Sequence, residues 1–232
     1  MSPLYIYAVA EVADGADLGH GLAGETLEVL RAGPVSAVIG RLARPPEPAA
    51  QTLRAHDDVV RRLAARCRAV LPARFGCLAA DDGTLRAALA DHASEYAASL
   101  ERVRGREQMT VRVFAAEGTG TEAARASEAA DGADRAAVGP GARYLAARAQ
   151  QDRAAGIPGL PALLDRLAPL VAAQIVERHE AAPLLASVYH LVERDSSARY
   201  RDALHEAAEA APELRLVASG PWPPYAFASG LP

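Results

Sequence analysis

The sequence predicts an α+β protein made of two small domains, and three observations carry that reading. Apolar stripes at helical spacing interleave with short runs rich in β-branched and aromatic residues. Several of those runs alternate polar and apolar residues, as strands with one wet face do, so two small sheets covered by helices fit better than one doubly wound parallel sheet. A stretch from Ala115 to Gly139 is almost without large apolar residues and divides the chain. The domains expected are 1–114, a mobile loop over 115–139, and a helix-rich α+β domain with a small sheet over 140–232, the boundary belonging near Gly105 or inside that loop. No sequence repeat links the halves.

Taken in order, Leu4-Tyr5-Ile6-Tyr7-Ala8-Val9 reads as a strand buried on both faces. A Gly/Asp-rich loop follows through Gly15, Gly19, Gly21 and Gly24, and Val35 to Ile39 forms a second strand that the Arg44-Pro45-Pro46-Glu47-Pro48 run ends. Leu53, His56, Val59/Val60, Leu63/Ala64, Cys67 and Val70/Leu71 recur at helical spacing, with Asp57 and Asp58 four residues ahead of Arg61 and Arg62. Leu71-Pro72-Ala73-Arg74-Phe75-Gly76 breaks that helix. Asp81 supplies cap chemistry for the next, which carries Leu85, Leu89, His92, Tyr96, Leu100 and Val103 and stops at Gly105. Glu107 to Phe114 alternates, with Met109, Val111 and Val113 on one face.

Beyond the loop, a helix is expected from about Tyr144 to Ala155. Another runs from Leu160 to Ile175 with Pro169 as a kink, then a strand over Leu184–Val192 and a helix capped by Ser196. Leu214 to Ala218 is the last strand. It leads into Gly220-Pro221-Trp222-Pro223-Pro224-Tyr225-Ala226-Phe227, which holds the single tryptophan in a chain only 5% aromatic. Three prolines in four residues exclude helix interior and central strand. Such a rigid aromatic segment loses little entropy on ordering, so it is expected to pack back on the body with Trp222 largely buried, rather than to hang as an exposed tail.

Composition excludes several function classes. The 232 residues carry a formal charge of −4, with no lysine among 25 basic residues, which is no footprint for nucleic acid. Cys67 and Cys77 lack partners for a zinc or disulfide framework, and the N-terminus lacks the pattern of a signal peptide. The most apolar long window, 160–176, contains Asp165, Arg166 and Pro169 and falls short of a membrane span. A cytoplasmic protein is expected. The six histidines form no HxH or HxxxH pair, and Gly139-Pro140-Gly141 is too little for a dinucleotide site. No paired-carboxylate or nucleophile motif appears, so no catalytic, cofactor or metal residues are assigned. His56 reads as a hydrogen-bonded core residue. Arg74 stays open between an anion clamp and a cap for helix-end carbonyls.

The order of these motifs is specific: Ala55 to Val60, then Leu71-Pro72-Ala73-Arg74-Phe75-Gly76 one helix length later, then Glu107 to Phe114, and last Gly220-Pro221-Trp222-Pro223-Pro224-Tyr225-Ala226-Phe227. With the opening strand, they resemble the GvpF/GvpL family of gas vesicle accessory proteins, from Tyr5 to Phe227, with 118–134 unmatched. The resemblance implies two α+β domains, the first ferredoxin-like, and an assembly protein rather than an enzyme. It implies no cofactor, and as partners the hydrophobic shell subunit and other accessory proteins, in the cytoplasm and at the gas vesicle. His56, Leu71, Pro72, Arg74, Phe75, Gly76 and the C-terminal motif then serve structure or interaction. A monomeric shell subunit is an aggregation hazard, and its partner needs an apolar groove or a free sheet edge under an acidic exterior. The alternative is a small-molecule or anion-binding α+β protein, possibly hydrolytic, that uses Arg74.

Overall fold

The computed structural model describes residues 3–116, 152–180 and 183–228. It divides into two compact units: Met1–Arg106 with Pro223–Pro232, and Glu107–Trp222. The chain therefore crosses between units twice, and the second unit is inserted into the first. Of the two positions expected, the division lies beside Gly105, at Arg106/Glu107, because the strand over Arg106–Ala115 pairs with the last strand of the second unit. Nearly all of the loop expected over 115–139 and most of the helix expected at 144–155 lie outside the described residues.

The first unit opens with β1 (Leu4–Glu11), whose residues from Leu4 to Ala10 are at most 2% exposed. It is the centre of an antiparallel sheet ordered β2-β3-β1-β4, with the short β5 (Leu78–Ala79) also pairing β1. The sequence reading missed β2 (Leu27–Ala32). It forms a hairpin with β3 (Val35–Arg41), Ala32 facing Val35 across Gly33-Pro34. Gly33 at φ 60° supplies the positive φ that such a two-residue turn requires at its first central position.

Helix α1 (Ala50–Arg66) buries His56, Val59, Val60 and Leu63. Leu53 lies outside this stripe at 45% exposure. The helix stops before the expected Leu71, since Cys67 is extended and Ala69–Pro72 forms β4 against β1. Ala73 N–H bonds to the Tyr7 carbonyl at 2.9 Å, so Pro72, one step away opposite Ala8, occupies a position that needs no donor. The next helix is two: α2 (Asp82–Asp91), capped by Asp81 accepting from Thr84 N–H at 2.7 Å, and α3 (Ala93–Val103), with the break at His92.

In the second unit, β6 (Arg106–Ala115), β7 (Ala173–Arg178), β8 (Leu184–Glu193) and β9 (Leu214–Trp222) form a sheet ordered β7-β8-β6-β9. Helices α4 (Leu160–Leu167) and α5 (Ser197–Glu209) pack on its inner face against Met109, Val111, Val113, Val176, Val188 and Val192. The helix expected through Ile175 ends at Leu167. A 3-10 turn, Ala168–Leu170, holds Pro169, and β-branched Ile175 and Val176 join β7 instead. Ser196 precedes α5, but its hydroxyl donates to the Glu193 carbonyl at 2.5 Å rather than capping the helix. Described elements here run β-α-β-β-α-β, the ferredoxin-like order. The first unit shares the strand order but has no helix between β1 and β2, where the glycine-rich segment 12–26 lies.

His190 is fully buried in this second core, its Nδ1 2.6 Å from the Tyr200 hydroxyl. Burial pushes its imidazole down to about 3. An unfolded chain takes up that proton from about pH 6.5 downward, so stability is complete above that pH and is lost as pH falls towards the folded value. Denaturant unfolding followed at Trp222 should weaken as pH drops from about 7 to about 5, with a slope approaching 1.4 kcal/mol per pH unit. His190→Leu should flatten that slope whatever it does to absolute stability.

Candidate functional site

His56 and the Leu71–Gly76 segment meet in the first unit, around two tyrosines that the sequence reading did not single out. Tyr5 and Tyr7 project from β1 on one face and are completely buried. Their rings pack edge to face, with centroids 4.8 Å apart. His56 from α1 stacks on Tyr7 at 5.7 Å and meets Phe75 at 5.8 Å.

The hydrogen bonds fix the tautomer. His56 Nε2 lies 3.2 Å from the Ala73 carbonyl, which can only accept, so Nε2 carries the proton. Nδ1 then accepts from the Tyr5 hydroxyl at 2.9 Å, and that oxygen accepts in turn from Gly76 N–H at 3.2 Å. Burial lowers the His56 pKa, and burial pushes the Tyr5 phenol up to about 12. The neutral imidazole is thus the resting form, and both ring nitrogens are engaged within the protein.

Leu71-Pro72-Ala73-Arg74-Phe75-Gly76 wraps this pair. Leu71, Pro72 and Ala73 are buried at the end of β4. Arg74 to Cys77 is a turn closed by Cys77 N–H on the Arg74 carbonyl at 3.2 Å, with Gly76 at φ 86°, a conformation that favours glycine. Arg74 itself is exposed, and among the described residues its side chain makes no hydrogen bond or ion pair, so it neither caps helix-end carbonyls nor joins convergent donors.

A second polar group lies on the same face. Tyr7 donates to Glu25 Oε1 at 2.5 Å and accepts from Leu22 N–H at 2.8 Å, while Glu25 Oε2 takes Ala23 N–H at 3.0 Å. Burial and the Glu25 bond raise the Tyr7 pKa. Gly21 and Gly40 leave the room this carboxylate fills, since a Cβ at either would collide with it. Arg62 ties the loop to α1 by donating to the Leu18 and His20 carbonyls, leaving Asp57–Arg61 (2.6 Å) as the helical ion pair.

The C-terminal motif divides between the units. Gly220, Pro221 and Trp222 end β9, an edge strand, where Pro221 is tolerated. Trp222 is intermediate in exposure, less completely buried than Phe227, its indole N–H 3.3 Å from Ser219 Oγ. Pro223, Pro224 and Phe227 are the buried anchors, and the 3-10 turn Tyr225–Phe227 packs beside β4. Tyr225 donates to Asp57 Oδ1 at 2.9 Å, linking the tail to α1. Among the described residues no group of three or more His, Cys, Asp and Glu is placed to hold a metal, and no helix is long and apolar enough to cross a membrane.

Two stability outcomes follow. Tyr5→Phe leaves the buried His56 Nδ1 without its donor and should cost about 1–3 kcal/mol in denaturant unfolding. Phe227→Ala should cost about 3–5 kcal/mol, and Trp222→Ala clearly less, which reverses the ranking expected from side-chain size alone.

Comparison with known proteins gives this arrangement a context. A family model described as gas vesicle synthesis protein GvpL/GvpF matches residues 3–229. Gas vesicle protein L of Streptomyces sp. (strain CB03234) is 30% identical, the match covering 97% of this chain and 92% of that protein. Gas vesicle protein F of the same strain is 26% identical over 96% of this chain and 98% of its own length. The fold is that of the crystal structures of GvpF from Anabaena sp. PCC7120, with TM-score 0.72, 15% identity and coverage of 99% and 97%, and from Microcystis aeruginosa, with TM-score 0.71, 14% identity and coverage of 99% and 100%. Since the match takes in both units and the tail, this chain belongs to the GvpL/GvpF family of gas vesicle synthesis proteins.

Proposed function

We propose that this protein is a non-catalytic accessory factor that binds the hydrophobic gas vesicle shell subunit, together with other accessory proteins, while the vesicle is nucleated and built in the cytoplasm. The observation that carries the reading is how the polar residues gathered around His56 use their polar atoms. His56, Tyr5, Tyr7 and Glu25 all bond within the protein, to a carbonyl, to backbone N–H groups or to one another. A catalytic constellation needs groups turned towards a substrate. Here they bind β1, α1 and the Leu71–Gly76 segment into one body, which suits a scaffold that presents surfaces.

Charge supports the same reading. A net charge of −4 keeps a complex with an apolar subunit dispersed. Co-expression with the shell subunit, followed by affinity capture of this chain, should retain the shell subunit without any added cofactor. Failure to retain it, while another accessory protein of the same gene cluster does so under the same conditions, would refute direct binding.

A further inference from the structure

We propose that β9 is a docking edge that takes up an extended partner segment by strand addition, and that this segment carries acidic side chains alternating with apolar ones. The proposal goes beyond the accessory reading and stands on the edge itself, whichever vesicle protein supplies the segment.

The sheet order leaves β9 with a strand on one side only, among the described residues. Its pairing with β6 decides which peptide groups remain. Ala116 N–H bonds to the Glu213 carbonyl at 3.0 Å, and hydrogen-bonded pairs recur at every second residue of an antiparallel ladder. Phe114 with Arg215 and Arg112 with Val217 are therefore the bonded pairs. The peptide groups of Leu216 and Ala218 point away from β6, as does that of Leu214, whose N–H is taken by the Ala211 carbonyl at 3.0 Å.

Edges are commonly blunted by lysine, proline or a bulge. From Leu214 to Ser219 there is none of these, since Pro221 and the bulge opposite Gln108 and Thr110 both lie at the far end. Val217 is 42% exposed, and Ala218 beside it is exposed too.

Charge names the occupant. Arg215 is exposed, its guanidinium carbon 4.2 Å from the centroid of the Phe114 ring, and exposed Arg112 sits opposite Val217, donating to Ser187 Oγ at 3.4 Å. Neither joins an ion pair among the described residues, whereas Arg31, Arg41, Arg61, Arg66 and Arg104 each hold a carboxylate. Two unneutralised guanidinium groups flanking an exposed valine complement a strand of alternating acidic and apolar residues. A second copy of β9 is the wrong chemistry, because Leu214 to Trp222 contains Arg215 and no acid.

The test is residue-resolved amide hydrogen exchange on the full chain, with a short synthetic peptide of alternating valine and glutamate as probe and its lysine-for-glutamate counterpart as control. The glutamate peptide should slow exchange at Leu216 and Ala218 by at least about tenfold and leave Val217, already paired with β6, unchanged. The lysine peptide should not. Arg215→Glu should exchange the two peptides' ranking. Ala218→Pro, which removes only an outward donor, should abolish the protection by either peptide, and if it fails to fold Arg215→Glu still decides. Leu216 and Ala218 amides already slow before peptide is added would mean that another part of this chain occupies the edge and would overturn the proposal. So would protection that rises with protein concentration alone, equal binding of both peptides, or binding of neither.

Discussion

The first unit depends on one buried arrangement, the hydroxyl of Tyr5 donating to His56 while His56 donates to Ala73. Three segments far apart in sequence meet there: the central strand, the long helix and the turn after β4. Each polar group would be costly to bury alone, and each is satisfied only when the other two segments are in place. Apolar packing by Val59, Leu63, Val38 and Val70 supplies the bulk attraction. The polar contacts supply registration, since a shift of one residue in β1 would turn Tyr5 away from α1. Gly76 at φ 86° lets the turn come close enough for its N–H to reach Tyr5.

Much of this was legible in the sequence, and what was not failed for identifiable reasons. The long strands and the α1 stripe carry many residues of one period, so β1, β3, β6, β8 and the body of α1 emerge from pattern alone. β2 did not, because Leu27-Glu28-Val29-Leu30 is a short run set in glycine-rich surroundings. The end of α1 was overrun because Val70 and Leu71 continue its spacing, and only pairing with β1 draws them into β4. Gln174 and Ile175 fell into a false helix for the same reason, although Pro169 already marked the stop. His56 was readable as a core histidine, since it stands on the apolar stripe of α1 with no second histidine or cysteine spaced to join it. Its partners were not readable, because Tyr5 lies 51 residues away and Ala73 is met through a backbone carbonyl that sequence cannot single out. In the tail, the most conspicuous side chain proved the less buried one. Trp222 ends an edge strand, and the plainer Phe227 fills the core position.

The double crossing of the chain has a consequence for how this architecture divides and recombines. The two crossing points are neighbours within the second unit, where Gln108 and Trp222 face each other across β6 and β9. Entry and exit side by side are what allow a whole domain to be inserted into, or exchanged within, a host fold without stretching either. A junction at 106/107 together with one at 222/223 moves the second unit as an intact cassette and leaves the first with all three of its helices and its tail. A gene split anywhere between β6 and β7 does the opposite, giving each product a strand or a tail that completes the other product's domain. The two pieces are then obligate complements, and neither is a free-standing half of the protein.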